Sequence, residues 1–298
     1  MRVEYREEPC RSALNRVRGM PFDWSLNPYM GCAHRCTFCY VRAFEARAER
    51  PWDDRYGTSI RVKTNVADVL RRELARPAWS GSPVAIGAAT DPYQPAEGRY
   101  RLTRACIEAL AEAANPFSII TRGPLVVRDI DVLAEAARRA RVSVTFSVPT
   151  LDAEIWRRTE PGTAPPRQRL RALAALVEVG IEASVGMAPI LPGLSDRPEL
   201  LADVVRAARA AGATGIWANL LHLRPGTREH FLAELERDWP ELLPEYERLY
   251  RGRAYLAAAD ADPARARVGE LARAHGIRDR RLLRLAPPAE PAQLRLAV

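Results

Sequence analysis

Short apolar runs of strand length alternate along the chain with longer stretches in which apolar residues recur every three to four positions. Trp24-Ser25-Leu26, Pro83 to Ala88, Phe117 to Ile120, Val142 to Val148, Glu182 to Met187 and Gly215 to Leu220 predict six strands. Between them a helix is expected from about Val41 to Glu49. A second is capped by Asn65 and carries Val66, Val69, Leu70 and Leu74, and a third opens at Thr103 with Cys106, Ile107, Leu110 and Ala114 on one side. Three further amphipathic stretches carry Val126, Ile130, Leu133 and Ala137; Leu170, Leu173, Ala174 and Val177; and Leu201, Val204, Val205 and Ala208. Strands separated by helices at such intervals predict parallel βα units, with an α/β fold and the reacting groups gathered at the C-terminal ends of the strands.

The pattern is weaker at both ends. Residues 1–21 are polar, arginine-rich and without a clear period, and read as an N-terminal extension; 22–222 hold the βα units; 223–298 form a C-terminal extension. That last segment opens with His222-Leu223-Arg224-Pro225-Gly226-Thr227, continues as a helix through Leu235 and a basic aromatic stretch from Tyr246 to Arg251, and ends in a proline-rich tail around Ala286 to Pro291.

Composition narrows the setting. With 298 residues, 47% of them hydrophobic, the chain can bury a sizeable core, and disorder is not its global state. It shows neither an apolar run long enough to cross a membrane nor a secretory leader, so a cytoplasmic location with no membrane partner is expected. Five cysteines, three of them clustered, suit metal ligation in a reducing compartment better than a disulfide framework. The net charge of +8 would ordinarily suggest an anionic partner. However, Lys63 is the one lysine, and the arginines alternate with glutamates along helix faces, as in Glu135 to Arg139. Nucleic acid is thus permitted as a partner but not favoured.

The chemistry concentrates in Asn27-Pro28-Tyr29-Met30-Gly31-Cys32-Ala33-His34-Arg35-Cys36-Thr37-Phe38-Cys39-Tyr40. One tight loop can present the thiols of Cys32, Cys36 and Cys39 to a single cubane cluster, whose remaining iron would lack a protein thiolate. Structural zinc is the competing use, with a fourth ligand from His34, His222 or His230. Cys10 lies outside the spacing, and Cys106 sits on the apolar side of its helix, where a cysteine is a small hydrophobe.

Cys-x3-Cys-x2-Cys followed by an aromatic residue resembles the signature of the radical S-adenosylmethionine (SAM) enzymes. Asn27-Pro28-Tyr29-x-Gly31-Cys32 together with Thr90-Asp91-Pro92-Tyr93-Gln94-Pro95-x-Glu97 resembles the branch that includes spore photoproduct lyase, from about Phe22 to about Tyr255. The resemblance implies a partial (β/α)6 TIM-like barrel with N- and C-terminal extensions. It also implies a 4Fe-4S cluster on Cys32, Cys36 and Cys39, with SAM cleaved reductively to a 5'-deoxyadenosyl radical that abstracts hydrogen from a substrate the sequence does not identify. An electron donor such as flavodoxin or ferredoxin would be needed.

By the same resemblance Tyr40 lies where the backbone contacts adenine, Thr90 and Asp91 where the methionyl end is held, with Glu97 a weaker candidate there. Arg122 would pair with the SAM carboxylate through two parallel hydrogen bonds, and Ser147 would meet the ribose. Ala188 to Gly193 would form an apolar wall against adenine, and Glu160, His222 and Arg224 would face substrate. The lyase carries a hydrogen-donating cysteine where this chain has Ala88, and a tyrosine where it has Phe38, so repair of spore photoproduct itself is not expected. A DNA-repair lyase and a non-catalytic metal-stabilised protein are the alternative readings.

Overall fold

The computed structural model describes residues 3–20 and 22–279. In chain order the elements are β1 (Glu4–Glu8), β2 (Leu14–Arg16), β3 (Trp24–Leu26), β4 (Tyr29–Met30), α1 (Arg42–Arg47), β5 (Ser59–Lys63), α2 (Val66–Leu74), β6 (Val84–Ile86), α3 (Pro95–Tyr100) and α4 (Leu102–Glu112). They continue as β7 (Phe117–Thr121), α5 (Ile130–Arg139), β8 (Val142–Ser147), α6 (Ala153–Thr159), α7 (Pro166–Glu178), β9 (Glu182–Ile190), α8 (Pro198–Ala210), β10 (Gly215–Leu220), α9 (Thr227–Asp238), α10 (Leu243–Leu249), α11 (Ala258–Ala274) and β11 (Arg278–Asp279).

The main sheet runs β11-β10-β9-β8-β7-β6-β3-β2. All its neighbours pair in parallel except β2, which lies antiparallel on β3 with Leu14 opposite Leu26. The six expected strands are therefore the six at its centre, β3 and β6 to β10, in an open arrangement that agrees with the partial barrel. Strand character follows from burial: every residue of β6 and of β8 is buried, as in strands covered on both faces. Helices follow their predicted apolar stripes. Val66, Val69, Leu70 and Leu74 of α2 and Cys106, Ile107 and Leu110 of α4 are buried together in the principal core. Each large aliphatic side chain withdrawn there is worth about 1.5–3 kcal/mol relative to exposure.

Several local differences have physical causes. The stretch expected as one helix from Val126 to Ala137 splits, because Pro124 starts a tight 3-10 segment over Pro124–Asp129 before α5 begins. Asn65 stands at the start of α2 but does not cap it; its side chain binds the backbone of Cys10, accepting from N–H at 2.7 Å and donating to the carbonyl at 3.1 Å. Glu73 on the same helix accepts from the Leu14 N–H at 2.8 Å and from Ser12 Oγ at 2.8 Å. Those side chains draw residues 10–16 onto α2 and bring β2 to the sheet edge. At the other end, α11 packs on α8 and β10, and β11 pairs with β10. Segments outside 22–222 thus complete the sheet. The proline-rich tail from Ala286 lies outside the described residues.

A smaller sheet, β1-β5-β4, holds the entry to the cysteine loop. Tyr29 and Met30 pair antiparallel with Val62 and Arg61. A second apolar cluster joins Cys36 and Phe38 to Leu221, Leu223, Phe231, Tyr246 and Tyr250, so α9 and α10 pack against the loop.

Candidate functional site

The loop from Gly31 to Tyr40 crosses the C-terminal ends of the parallel strands. All five cysteines are free, with Cys32 and Cys36 buried and Cys39 half-buried. Neighbouring backbone approaches the loop too closely for side chains. A Cβ at Gly57, whose φ is +78°, would sit 2.3 Å from the Cys32 carbonyl, and one at Gly162 would sit 2.5 Å from the Ala33 carbonyl. Cross-links fix the loop further: the Thr37 N–H donates to the Thr159 carbonyl at 2.9 Å, and Thr227 Oγ1 on α9 donates to the Cys39 carbonyl at 3.1 Å.

Polar side chains after β6 do most of this fastening. Gln94 is fully buried; its Oε1 accepts from the Ala33 N–H at 3.0 Å, while its Nε2 donates to the Gly31 carbonyl at 3.1 Å and to Thr90 Oγ1 at 2.9 Å. Thr90 Oγ1 in turn donates to the Gly31 carbonyl at 2.6 Å. The Asp91 carboxylate accepts from Thr121 Oγ1 at 2.6 Å, the Tyr93 N–H at 2.9 Å and the Arg122 N–H at 2.6 Å, with His34 Nδ1 3.3 Å away. Burial would raise its pKa, but His34, Thr121 and the Arg122 N–H outweigh that and hold it down at about 2. Both expected methionyl-end residues therefore spend their side chains on tying the cysteine loop to β6 and β7.

Glu97 is placed still deeper. Its carboxylate, with no exposure, accepts from Tyr29 Oη at 2.5 Å, the Thr103 N–H at 2.9 Å and Arg128 at 2.8 Å. It secures the base of the loop through Tyr29 and neutralises the first turn of α4.

Arg122, at the end of β7, is brought to the loop. Its Nε donates to Glu160 at 3.0 Å, a terminal nitrogen donates to the Ala188 carbonyl at 3.2 Å, and its guanidinium lies 5.5 Å from the Phe38 ring centre. Burial opposes its charge, yet Cys36 and Glu160 outweigh this and hold its proton more tightly than usual. Glu160 is buried between Arg122 and Arg169, and Arg169 also donates to the Ser147 carbonyl at 2.8 Å. Burial would push the Glu160 carboxyl up; Arg169 and Arg122 keep it below its ordinary value. Ser147 closes β8 beside this pair. Ala188 to Ile190, expected in a loop, are the last residues of β9.

On the opposite side Tyr40 donates to the Ala88 carbonyl, and its ring stands 5.8 Å edge-on from Phe44 and 5.9 Å from His222. His222 stacks on Tyr255 at 5.2 Å, with Arg224 over the Tyr255 ring at 6.0 Å. Tyr56 Oη lies 3.6 Å from Cys39 Sγ, and the buried Arg42 covers the Tyr56 ring at 4.7 Å. The sequence reading gave Gln94, Arg42 and Arg169 no role. Their signal is burial of polar groups, which exists only in the folded chain, although Gln94 stood inside a quoted motif.

The donor set fits a soft metal cluster. Three thiols converge from one loop without disulfides, and a guanidinium stands by Cys36. Burial drives the Cys32 thiol well above its ordinary pKa and Cys36 up to about 12, so only a bound cation would draw out the thiolates that ligation requires. Among the described residues, the trio of metal-type ligand atoms lying within 4.8 Å of one another is Asp54, His230 and Glu234, not the three sulfurs.

Among the described residues no helix is long and apolar enough to cross a membrane. A family model of the radical SAM superfamily matches residues 26–205. The chain is 42% identical over 273 residues to an uncharacterised protein of Mycobacterium tuberculosis, covering 90% of this chain and 80% of that one. A protein of Pseudomonas phage M6 described as a radical SAM Nalpha-GlyT isomerase is 28% identical over 169 residues, 56% of this chain and 33% of that one. Among solved structures, a spore photoproduct lyase mutant with bound AdoMet and dinucleoside spore photoproduct superposes with a TM-score of 0.69 at 15% identity, over 91% of this chain and 79% of that one. The cysteine loop lies within the matched segment, and the chain belongs to the radical SAM superfamily.

Proposed function

We propose that this protein is a radical SAM enzyme in which Cys32, Cys36 and Cys39 hold a 4Fe-4S cluster and SAM binds at the iron without a protein thiolate. The observation that carries the proposal is the loop itself: three free thiols, on a loop fastened by Gln94 and Thr90 and paired through His34 with Asp91, at the strand ends of a parallel sheet. When bound, such a cluster supplies the one-electron reductive cleavage of SAM to methionine and a 5'-deoxyadenosyl radical.

The chain's own residues bind and orient. Gln94 and Thr90 fasten the loop, and Asp91 pairs with His34 on it, so its thiols need little reorganisation to act as ligands. Arg122 presents a fixed positive charge beside Cys36, suited to the SAM carboxylate, with Glu160 and Arg169 holding its plane. Ser147 at the end of β8 would meet a ribose hydroxyl, and the Tyr40 backbone and Ala188 to Gly193 would meet the adenine. His222 and Tyr255 face the same mouth as candidates for substrate contact.

The lyase of similar fold binds a dinucleoside spore photoproduct, and a nucleobase-like target is compatible with the ring of Tyr255. Ala88 and Phe38, however, have no hydrogen atom to donate readily, so direct repair of spore photoproduct is not proposed. Electrons would come from a flavodoxin or ferredoxin. The test is anaerobic reconstitution with iron and sulfide, followed by reductant and SAM. Formation of 5'-deoxyadenosine that is lost in Cys36→Ala is expected; its absence from a fully loaded protein would overturn the reading.

A further inference from the structure

We propose that Asp54, His230 and Glu234 form a second metal site, for a divalent ion of the manganese or zinc class, bracing the cysteine loop from outside. One ligand atom from each of the three residues lies within 4.8 Å of the other two, close enough to share one ion. His230 and Glu234 are one turn apart on α9 and therefore occupy one face. Asp54 comes from the turn that follows α1, far away in sequence.

The three groups differ in the way a site requires. The His230 side chain is 8% exposed, and burial keeps its imidazole neutral, the form that donates a lone pair. The Asp54 carboxylate is 81% exposed and opens the group to solvent, giving an entry path and room for water ligands. The contact between His230 Nδ1 and Asp54 Oδ1 is 3.6 Å, too long for a hydrogen bond, so the two groups face each other without being satisfied by each other. One imidazole and two carboxylates suit manganese, cobalt or zinc better than thiol-seeking ions. Their two negative charges would offset the ion's, against the opposing field of Arg35 and Arg42. Glu234 pairs with Arg237 at 2.7 Å, but Arg237 also holds Asp238 at 2.7 Å and keeps that partner if Glu234 turns to a metal.

The location gives the ion a task. Thr227, at the start of α9, donates to the Cys39 carbonyl at 3.1 Å. The Asp54 turn accepts from Arg35 at 2.7 Å through its backbone and leads to Tyr56, 3.6 Å from Cys39 Sγ. An ion shared by α9 and this turn would clamp both neighbours of Cys39 together.

Manganese is the probe, because carboxylate and imidazole bind it while thiols do not favour it. The free-ion spin-resonance signal is titrated with the purified chain, with thermal unfolding followed in parallel and zinc added as competitor. One manganese per chain is expected, with a rise in unfolding temperature. Asp54→Asn, at an exposed position that the fold does not depend on, and Glu234→Gln should each weaken binding at least tenfold and remove the thermal shift. No binding at millimolar manganese, or equal binding by the wild type and the Asp54→Asn variant, would overturn the proposal.

Discussion

Replacing Gln94 with leucine tests how the cysteine loop is held. The side chain is fully buried and leucine is close to it in size, so the substitution opens no large cavity and mainly removes hydrogen bonds. The Ala33 N–H loses its acceptor at 3.0 Å, and a buried donor left unsatisfied costs about 1–3 kcal/mol. The Gly31 carbonyl and Thr90 Oγ1 keep each other at 2.6 Å, so losing their contacts with Gln94 Nε2 adds only about 1 kcal/mol. A total of about 2–4 kcal/mol corresponds to a fall in unfolding temperature of roughly 3–6 °C for a chain of this size. Because the lost contacts lie on Gly31 and Ala33, either side of Cys32, iron retention per chain should fall as well. The assay is calorimetry together with iron analysis after anaerobic reconstitution. A Gln94→Leu protein that melts within about 2 °C of wild type and loads iron fully would refute the claim that this amide fastens the loop.

Four further outcomes are expected. Asp91→Asn should cost about 2 kcal/mol near neutral pH, since a carboxyl held at about 2 contributes stability that is present above its unfolded value near 4 and lost as pH falls from there toward 2; urea unfolding should show the gap between wild type and variant closing over that window. Glu160→Gln leaves Arg122 and Arg169 buried without their shared counter-charge and should destabilise by about 3–5 kcal/mol, whereas Arg122→Lys keeps a charge but loses the fork and should raise the KM for SAM about tenfold with a smaller change in kcat. Alanine at Cys32, Cys36 or Cys39 should each abolish iron loading, while Cys10→Ala and Cys106→Ala should retain it, because Cys106 is fully buried in the principal core away from the loop.

How much of this was legible depends on which interactions are local. The central strands could be read because they are short, buried on both faces and bounded by helices with a clear apolar stripe, as β8 is between α5 and α7. The cysteine loop could be read because ligand spacing is itself local. What lay hidden was long-range pairing. β1, Glu-Tyr-Arg-Glu-Glu, carries no strand-like apolar alternation and is a strand because β5 pairs with it. Asn65 looked like a helix cap and serves Cys10 instead. Arg169, which no sequence pattern singles out, is fully buried against Glu160, a partner across a turn that no periodicity announces. Thr90, Asp91 and Glu97 stand out in the sequence as a group, and their oxygens are engaged within the fold, which depends on the neighbours the strands bring to them.

The most direct test of the central claim is spin resonance of the reduced, anaerobically reconstituted protein before and after addition of nitrogen-labelled SAM. The account predicts a 4Fe-4S signal that changes on addition and shows coupling to the label, because SAM reaches an iron that no side chain has closed off. An iron-loaded protein whose spectrum is unchanged by saturating SAM would contradict it.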